Sequence, residues 1–231
     1  MDFVPEPEDA NTDALHFGSY IHKIFEDGVT LKSEKDLVKL SEEVRGKYKV
    51  SSDYDGKDLI CIKNFLSFNK KLGETVSTEM SFDIEIAKDI RLNGIIDRVI
   101  RGKNNTYLII DYKTSKKEKS KIDLYQDTQM KGYTYAIHKM YEVPIKNITV
   151  AHYYPLTDNL VSVSYTPNQI NSYVKSIVSE VWRIRKAKKD DLVATRNEFC
   201  NWCPYKGLCP EFNDPQVIEE NIKKLKSSSK T

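Results

Sequence analysis

The sequence contains no long apolar run. Across its 231 residues nothing approaches the roughly 20 consecutive apolar positions that a membrane-spanning helix needs. The opening Met1-Asp2-Phe3-Val4-Pro5-Glu6 lacks the basic-then-apolar pattern of a secretory signal, so a cytosolic chain is expected. Charge of one sign is not in excess. Thirty-six Lys and Arg stand against 34 Asp and Glu, a net +2, and composition alone does not announce a nucleic-acid-binding protein. There is no G-x-x-x-x-G-K-[ST] loop and no G-x-G-x-x-G turn, which excludes ATP hydrolysis or dinucleotide binding by those routes. Cysteine is scarce, with four in all, too few for a disulfide scaffold in a chain of this size. There is no internal repeat. What the chain does have is 39% hydrophobic residues, enough to bury one sizeable core.

Residues 1–13 are rich in Pro, Glu and Asp and read as a leader or linker. Residues 14–213 are expected to form one domain, followed by a fraying tail at 214–231 that ends Lys-Ser-Ser-Ser-Lys-Thr. Helical patterns run from about Ala14 to Glu26, Ser33 to Tyr48 and Lys57 to Lys71. Three strands follow, near Val76–Ala87, Ile90–Ile100 and Thr106–Thr114, then a helix over Asp123–Met140. Ile148–Tyr154 and Leu160–Tyr165 alternate as strands. Thr166 then caps a long helix that has Pro167 in its first turn. This order predicts an α/β fold, a mixed sheet flanked by helices.

Two apolar runs contain an acidic residue where burial is expected. Gly94-Ile95-Ile96-Asp97-Arg98-Val99 and Leu108-Ile109-Ile110-Asp111-Tyr112-Lys113 flank a polar Gly102-Lys103-Asn104-Asn105 turn and read as a hairpin. A buried carboxylate costs several kcal/mol unless something pairs with it, and two close carboxylates repel. A divalent cation is the natural partner for both. Period two puts Asp111 and Lys113 on one strand face, with Tyr112 opposite. A four-residue loop would pair Asp97 with Ile110 and leave Asp111 on the wrong face. An odd loop, a bulge or splayed strands must therefore bring the acids together.

Upstream, Gly18 and His22 share a helix face. Downstream, Gln129 and Tyr133 do the same. In order, Gly18/His22, Glu79, Gly94/Asp97, Asp111/Lys113 and Gln129/Tyr133 resemble the motif series of the RecB-like exonuclease branch of the PD-(D/E)XK nuclease superfamily. That branch includes nucleases of recombination, phage DNA metabolism and CRISPR adaptation. The resemblance spans about Gly18 to Pro210 and implies a restriction-endonuclease-like fold and Mg²⁺- or Mn²⁺-dependent cleavage of DNA phosphodiesters. The activity is expected to be an exonuclease of recombination, repair or phage DNA metabolism. The alternatives are a structure-selective endonuclease and a non-catalytic, metal-stabilised DNA-binding subunit. The implied metal ligands are His22, Asp97, Asp111 and the Tyr112 carbonyl. Lys113 would orient water or phosphate, Glu79 (or Glu85) would help organise the site, and Gln129 and Tyr133 would orient the lysine or the DNA. Lys116, Lys117 and Lys119, beside the candidate strand, could hold phosphates, and Arg183, Arg185, Lys186, Lys188 and Lys189 form a second basic block. Any helicase or recombination activity would come from a separate partner protein.

Cys200-x2-Cys203-x5-Cys209 is compact, and in a cytosolic chain such spacing means metal more often than disulfide. The resemblance implies a [4Fe–4S] cluster, with Zn²⁺ as the alternative. The family's first cysteine normally precedes the Gly-x-x-x-His helix, and this sequence has none there. Cys61 is the only other cysteine, in an apolar helix where a small buried hydrophobe is the ordinary reading.

Overall fold

The computed structural model describes residues 13–188, 193–201 and 203–228. The expected leader up to Thr12 lies outside them, as do Lys189 and Trp202. The chain divides into two compact units, one of residues 13–182 and the other holding the C-terminal residues from Arg183. The single domain expected over 14–213 therefore spans both units.

The first unit opens with three helices, α1 (Asp13–Asp27), α2 (Glu34–Arg45) and α3 (Lys57–Asn69). Ser33 caps α2 by accepting from the Asp36 N–H. Asp58 on α3 is buried, and its carboxylate accepts from Tyr20 of α1 at 3.1 Å and from Arg45 of α2 at 2.9 Å. One paired acid thus ties the three helices together, which offsets the cost of burying it.

The sheet follows as β1 (Glu74–Ala87), β2 (Ile90–Arg101), β3 (Tyr107–Tyr112), β4 (Ile148–Tyr154) and β5 (Asn159–Val163), in that spatial order. Only the β3–β4 pair is parallel. The crossover between them carries α4 (Lys121–Gln126) and α5 (Thr128–Tyr141). The sequence predicts one helix here. Asp127 breaks it, since its extended backbone ends α4 while its side chain caps α5 by accepting from the N–H groups of Gln129 and Met130. A long α6 (Pro167–Lys186) follows β5. The Thr166 hydroxyl accepts from the Gln169 N–H, and the Gln169 side chain accepts from the Thr166 N–H in return.

Successive strand residues bury against opposite helical layers, as period two requires. Val99, Ile109 and Val150 pack with Met130, Ala136 and Ile137 of α5. Ile100, Ile110 and Tyr112 pack with Ile21, Phe25, Phe65 and other residues of α1–α3. The mixed five-stranded sheet with helices on both faces is the α/β architecture expected from the sequence.

In the second unit, two short 3-10 turns, Glu198–Asn201 and Pro204–Leu208, carry the cysteine segment. The region expected to fray forms α7 (Pro215–Ser228) instead, and residues 229–231 lie outside the described set. Asp214 caps it by accepting from the Gln216 and Val217 N–H groups, and Asn221 donates to the Gly207 carbonyl at 2.8 Å. These local bonds hold a helix that composition alone reads as a tail.

Candidate active site

The acids meet through the odd-numbered loop. Arg101 pairs with Tyr107, so five residues connect the strands, with Asn104 and Asn105 at φ near +54°. Asparagine tolerates that left-handed conformation better than most residues. The register continues through Arg98 opposite Ile110, and one step further sets Asp97 opposite Asp111. Asp111 in turn pairs in register with His152 of β4. A polar row therefore crosses three adjacent strands.

Glu79 joins from β1. Its neighbours pair normally, Thr78 with Arg98 and Met80 with Ile96, while Glu79 itself adopts φ +45° opposite Asp97. A non-glycine residue with positive φ costs of order 1–3 kcal/mol and is typical of functional positions. Glu85 is exposed and pairs with Arg91 near the far end of the strand, so Glu79 is the acid that reaches this site.

His22 approaches from α1. Its Nε2 lies 2.9 Å from the Tyr112 carbonyl, a hydrogen bond in which the ring must donate. Its Nδ1 faces Asp97 Oδ2 at 3.5 Å. In the neutral ring that sets one lone pair against another, an arrangement that a cation resolves. His22, Glu79 and Asp97 each present a ligand atom within 4.8 Å of the other two, and among the described residues they form the single such group. The donor set, one imidazole nitrogen and two carboxylates, suits a Mn²⁺- or Mg²⁺-type ion. Asp111 and the Tyr112 carbonyl, both expected as ligands, are not in this group. The Tyr112 carbonyl is occupied by His22, while its N–H donates to Asp97 Oδ2 at 2.7 Å. A Cβ on Gly18 would meet the Thr114 hydroxyl at 3.4 Å, so α1 closes onto the end of β3 through a side chain rather than a backbone.

Burial, and then the neighbouring Asp111, push the Asp97 carboxyl up to about 7. Glu79 is raised too, by burial first and by Asp97 second. Lys113 Nζ sits 2.6 Å from Asp111 Oδ2, yet that oxygen has no aligned hydrogen-bond donor. The short distance marks a strong Coulomb pair. The ammonium approaches off the direction an aligned hydrogen bond requires, so Oδ2 is paired with it by charge alone. Beside these groups opens a cleft of about 550 Å³ lined by His22, Glu79, Tyr112, Lys113, Thr114 and Ser115 among others.

Gln129 donates to the Tyr133 hydroxyl at 2.9 Å, and that hydroxyl donates to the Ile95 carbonyl at 2.6 Å. The pair secures α5 to β2 beside Gly94. Lys116 and Lys117 are exposed, whereas Lys119 is paired with Asp127 at 2.7 Å and anchors the loop to α5. Cys61 is fully buried in the core beside α1, with its thiol pushed up to about 12 by burial, and is the small hydrophobe its helix predicted. Cys200, Cys203 and Cys209 are free thiols and do not converge as a ligand group among the described residues. The second basic block begins in the last turn of α6, with Arg183, Arg185 and Lys186.

Two residues of this region were given no site role from the sequence. Arg98 is buried, its guanidinium donating to Thr75, Asn69 and the Tyr112 hydroxyl. His152 is fully buried, and its Nε2 lies 3.8 Å from Asp111 Oδ2. The signal for His152 was present in the sequence. It is a polar residue inside the apolar run Ile148–Tyr154, as Asp111 is in its own strand.

A crystal structure described as "Putative exonuclease" from Eubacterium rectale is 16% identical, covers 86% of this chain and 76% of its own, and superposes with a TM-score of 0.48. The crystal structure of SSO0001 is also 16% identical, with 87% of this chain and 98% of that one covered, at a TM-score of 0.40. Comparison with curated proteins finds no match. The family model described as PD-(D/E)XK nuclease superfamily matches residues 2–210. That span is most of the 231 residues, and it includes every residue of the polar row and of the His22 group: the chain belongs to the PD-(D/E)XK nuclease superfamily.

Proposed function

We propose that this chain is a metal-dependent deoxyribonuclease, an exonuclease that hydrolyses DNA phosphodiester bonds in recombination, repair or phage DNA metabolism. The observation that carries the reading is the convergence of His22, Glu79 and Asp97 beside Asp111 and Lys113 at the edge of an open cleft. His22 Nδ1 and the carboxylates of Glu79 and Asp97 would hold Mg²⁺ or Mn²⁺, with Asp111 facing Asp97 from the next strand. Such an ion, when bound, supplies Lewis acidity at the phosphate.

The chain's own groups do the rest. Tyr112 orients Asp97 through its N–H, and its carbonyl fixes the His22 ring so that Nδ1 faces the carboxylates. Lys113 brings a positive charge to the cleft wall, where it neutralises the developing charge of an attacked phosphate. Gln129 and Tyr133 hold α5 against β2 and keep the acidic strand in place. Lys116 and Lys117 offer sequence-independent phosphate contacts.

Incubation of the protein with end-labelled linear and with circular DNA, single- and double-stranded, plus Mg²⁺ or Mn²⁺, tests the reading. Loss of label from linear DNA with circles left intact is expected. Nicked or linearised circles would favour the structure-selective endonuclease, and no cleavage of any form would leave a non-catalytic DNA-binding subunit. The cysteine spacing alone supports a soft metal at Cys200, Cys203 and Cys209, [4Fe–4S] or Zn²⁺. Iron and zinc analysis after anaerobic purification tests that separately, and three freely titratable thiols would overturn it.

A further inference from the structure

We propose that His152 is a positioning residue for Asp111, held as its Nε2–H tautomer by Tyr154. The inference rests on the nuclease reading above. Two buried polar atoms face each other without an aligned hydrogen bond. His152 Nε2 and Asp111 Oδ2 are both buried, neither has an aligned hydrogen-bond partner, and they lie 3.8 Å apart. Buried polar atoms without an aligned hydrogen bond are rare enough to call for a reason.

The tautomer follows from the bonds behind the ring. The Lys119 backbone N–H donates to the Tyr154 hydroxyl oxygen at 2.8 Å. With one lone pair so engaged, the hydroxyl can give its proton to His152 Nδ1, 3.4 Å away, and the bond is assigned that direction. A neutral imidazole that accepts at Nδ1 carries its hydrogen on Nε2. The ring therefore aims a donor at Asp111 Oδ2. Pairing of His152 with Asp111 in the parallel ladder, and full burial of the ring, leave it little freedom to turn elsewhere.

The distance has a functional reading. In this structure Lys113 crowds the same Oδ2 at 2.6 Å. A phosphate in the cleft competes with Oδ2 for the Lys113 ammonium. When the ammonium swings toward the substrate, Oδ2 loses its positive neighbour, and the His152 N–H is the buried donor able to take its place after a shift of about 0.6–1 Å into ordinary hydrogen-bond range. His152 thus keeps Asp111 oriented while Lys113 works on the DNA. It does not touch the substrate.

The test uses the full chain with ¹⁵N-labelled histidine. Magnetic resonance of the metal-free protein should show His152 protonated at Nε2 and unprotonated at Nδ1, with Tyr154→Phe mixing the two forms. An Nδ1–H ring in the wild type would overturn the proposal. Calorimetry should show weaker Mg²⁺ binding in His152→Phe, and kcat should fall about ten- to a hundredfold with KM for DNA unchanged, the range typical of residues that orient ligands. His152→Gln, whose amide can reach the Nε2 position, should recover much of both. Equal behaviour of the Phe and Gln variants would sink the positioning role. Should His152→Phe fail to fold, Tyr154→Phe and His152→Gln keep the test intact. A wild-type protein that cleaves no DNA would defeat the nuclease reading instead, while the tautomer and the Mg²⁺ affinities still decide the part played by His152.

Discussion

At the scale of single residues, the site is governed by how much charge is confined in it. Asp97 is protonated more readily in the folded chain than in the unfolded one, because burial and Asp111 both oppose its charge. Between the ordinary aspartate value near 4 and the raised value of about 7, the folded state therefore binds more protons than the unfolded state. Stability must fall as pH rises through that window. The metal-free protein should melt at a lower temperature at pH 7.5 than at pH 5, and Asp97→Asn should flatten that slope. Added Mg²⁺ should restore the melting temperature at pH 7.5 in the wild type. A wild-type melting temperature that climbs steadily from pH 5 to 7.5 without metal would contradict the assignment of Asp97 as the strained acid. His22 makes a separate prediction. Because its Nδ1 faces Asp97 and its Nε2 is bound to a carbonyl, His22→Ala should raise the Mn²⁺ concentration for half-maximal cleavage while leaving DNA affinity in a metal-free shift assay nearly unchanged. An unaltered metal requirement would return His22 to a structural role.

At the scale of elements, the acids meet because of one connection and one distortion. The five-residue link between β2 and β3 sets Asp97 opposite Asp111, and the positive φ of Glu79 turns β1 at the same level. Arg98 sits on the other face of β2, donating to Asn69 at 2.5 Å and to Thr75 at 2.7 Å, and joins the end of α3 to β1 and β2. Among the described residues no carboxylate pairs with it, so removing it unmakes hydrogen bonds from a charged donor to neutral acceptors and leaves a void under α3. Arg98→Ala should destabilise the protein by about 2–4 kcal/mol in urea unfolding, since it deletes a buried hydrogen-bonded side chain. A change within 0.5 kcal/mol would show that these bonds do not hold the helix to the sheet. The strands and helices near the site were legible in the sequence because alternation and helical spacing are local signals. Asp97 and Asp111 stood out as acids in apolar surroundings, whereas Glu79, in the mixed run Ser77-Thr78-Glu79-Met80-Ser81, entered only through the family resemblance, with Glu85 as its alternative. The register was not legible, since loop length depends on where pairing stops at Tyr107. Neither was the break at Asp127, because its double role as the end of one helix and the cap of the next lies in backbone angles. His152 lies across the sheet from the acids, on a strand reached only after the crossover, and nothing in its own strand names its partner.

At the scale of the whole molecule, the nuclease reading draws on the unit of residues 13–182, which contains the cleft, the His22 group and both exposed loop lysines. Cys61 belongs to the core of that unit, so Cys61→Ser should leave iron and zinc content unchanged while lowering stability by about 1–3 kcal/mol, the cost of a hydroxyl set in an apolar core. A loss of bound metal in Cys61→Ser would overturn that placement. The expected tail proved to be α7, because its capping Asp214 and the Asn221 bond to Gly207 are specific features that a Lys- and Ser-rich composition obscures. No helix among the described residues is long and apolar enough to cross a membrane, as the absence of apolar runs implied.

On the proposed reading, phosphodiester hydrolysis occurs at the acids of β2 and β3 and at Lys113, one residue past the end of β3. The most direct measurement compares the wild type with Asp111→Ala and Lys113→Ala in Mg²⁺-dependent cleavage of end-labelled DNA, with circular dichroism confirming that all three are folded. Both substitutions should leave the fold intact. Asp111→Ala should abolish cleavage, and Lys113→Ala should reduce it by about 10²–10³-fold, as expected when a charge that stabilises the transition state is removed. Cleavage by folded Asp111→Ala at the wild-type rate would mean that the chemistry takes place elsewhere.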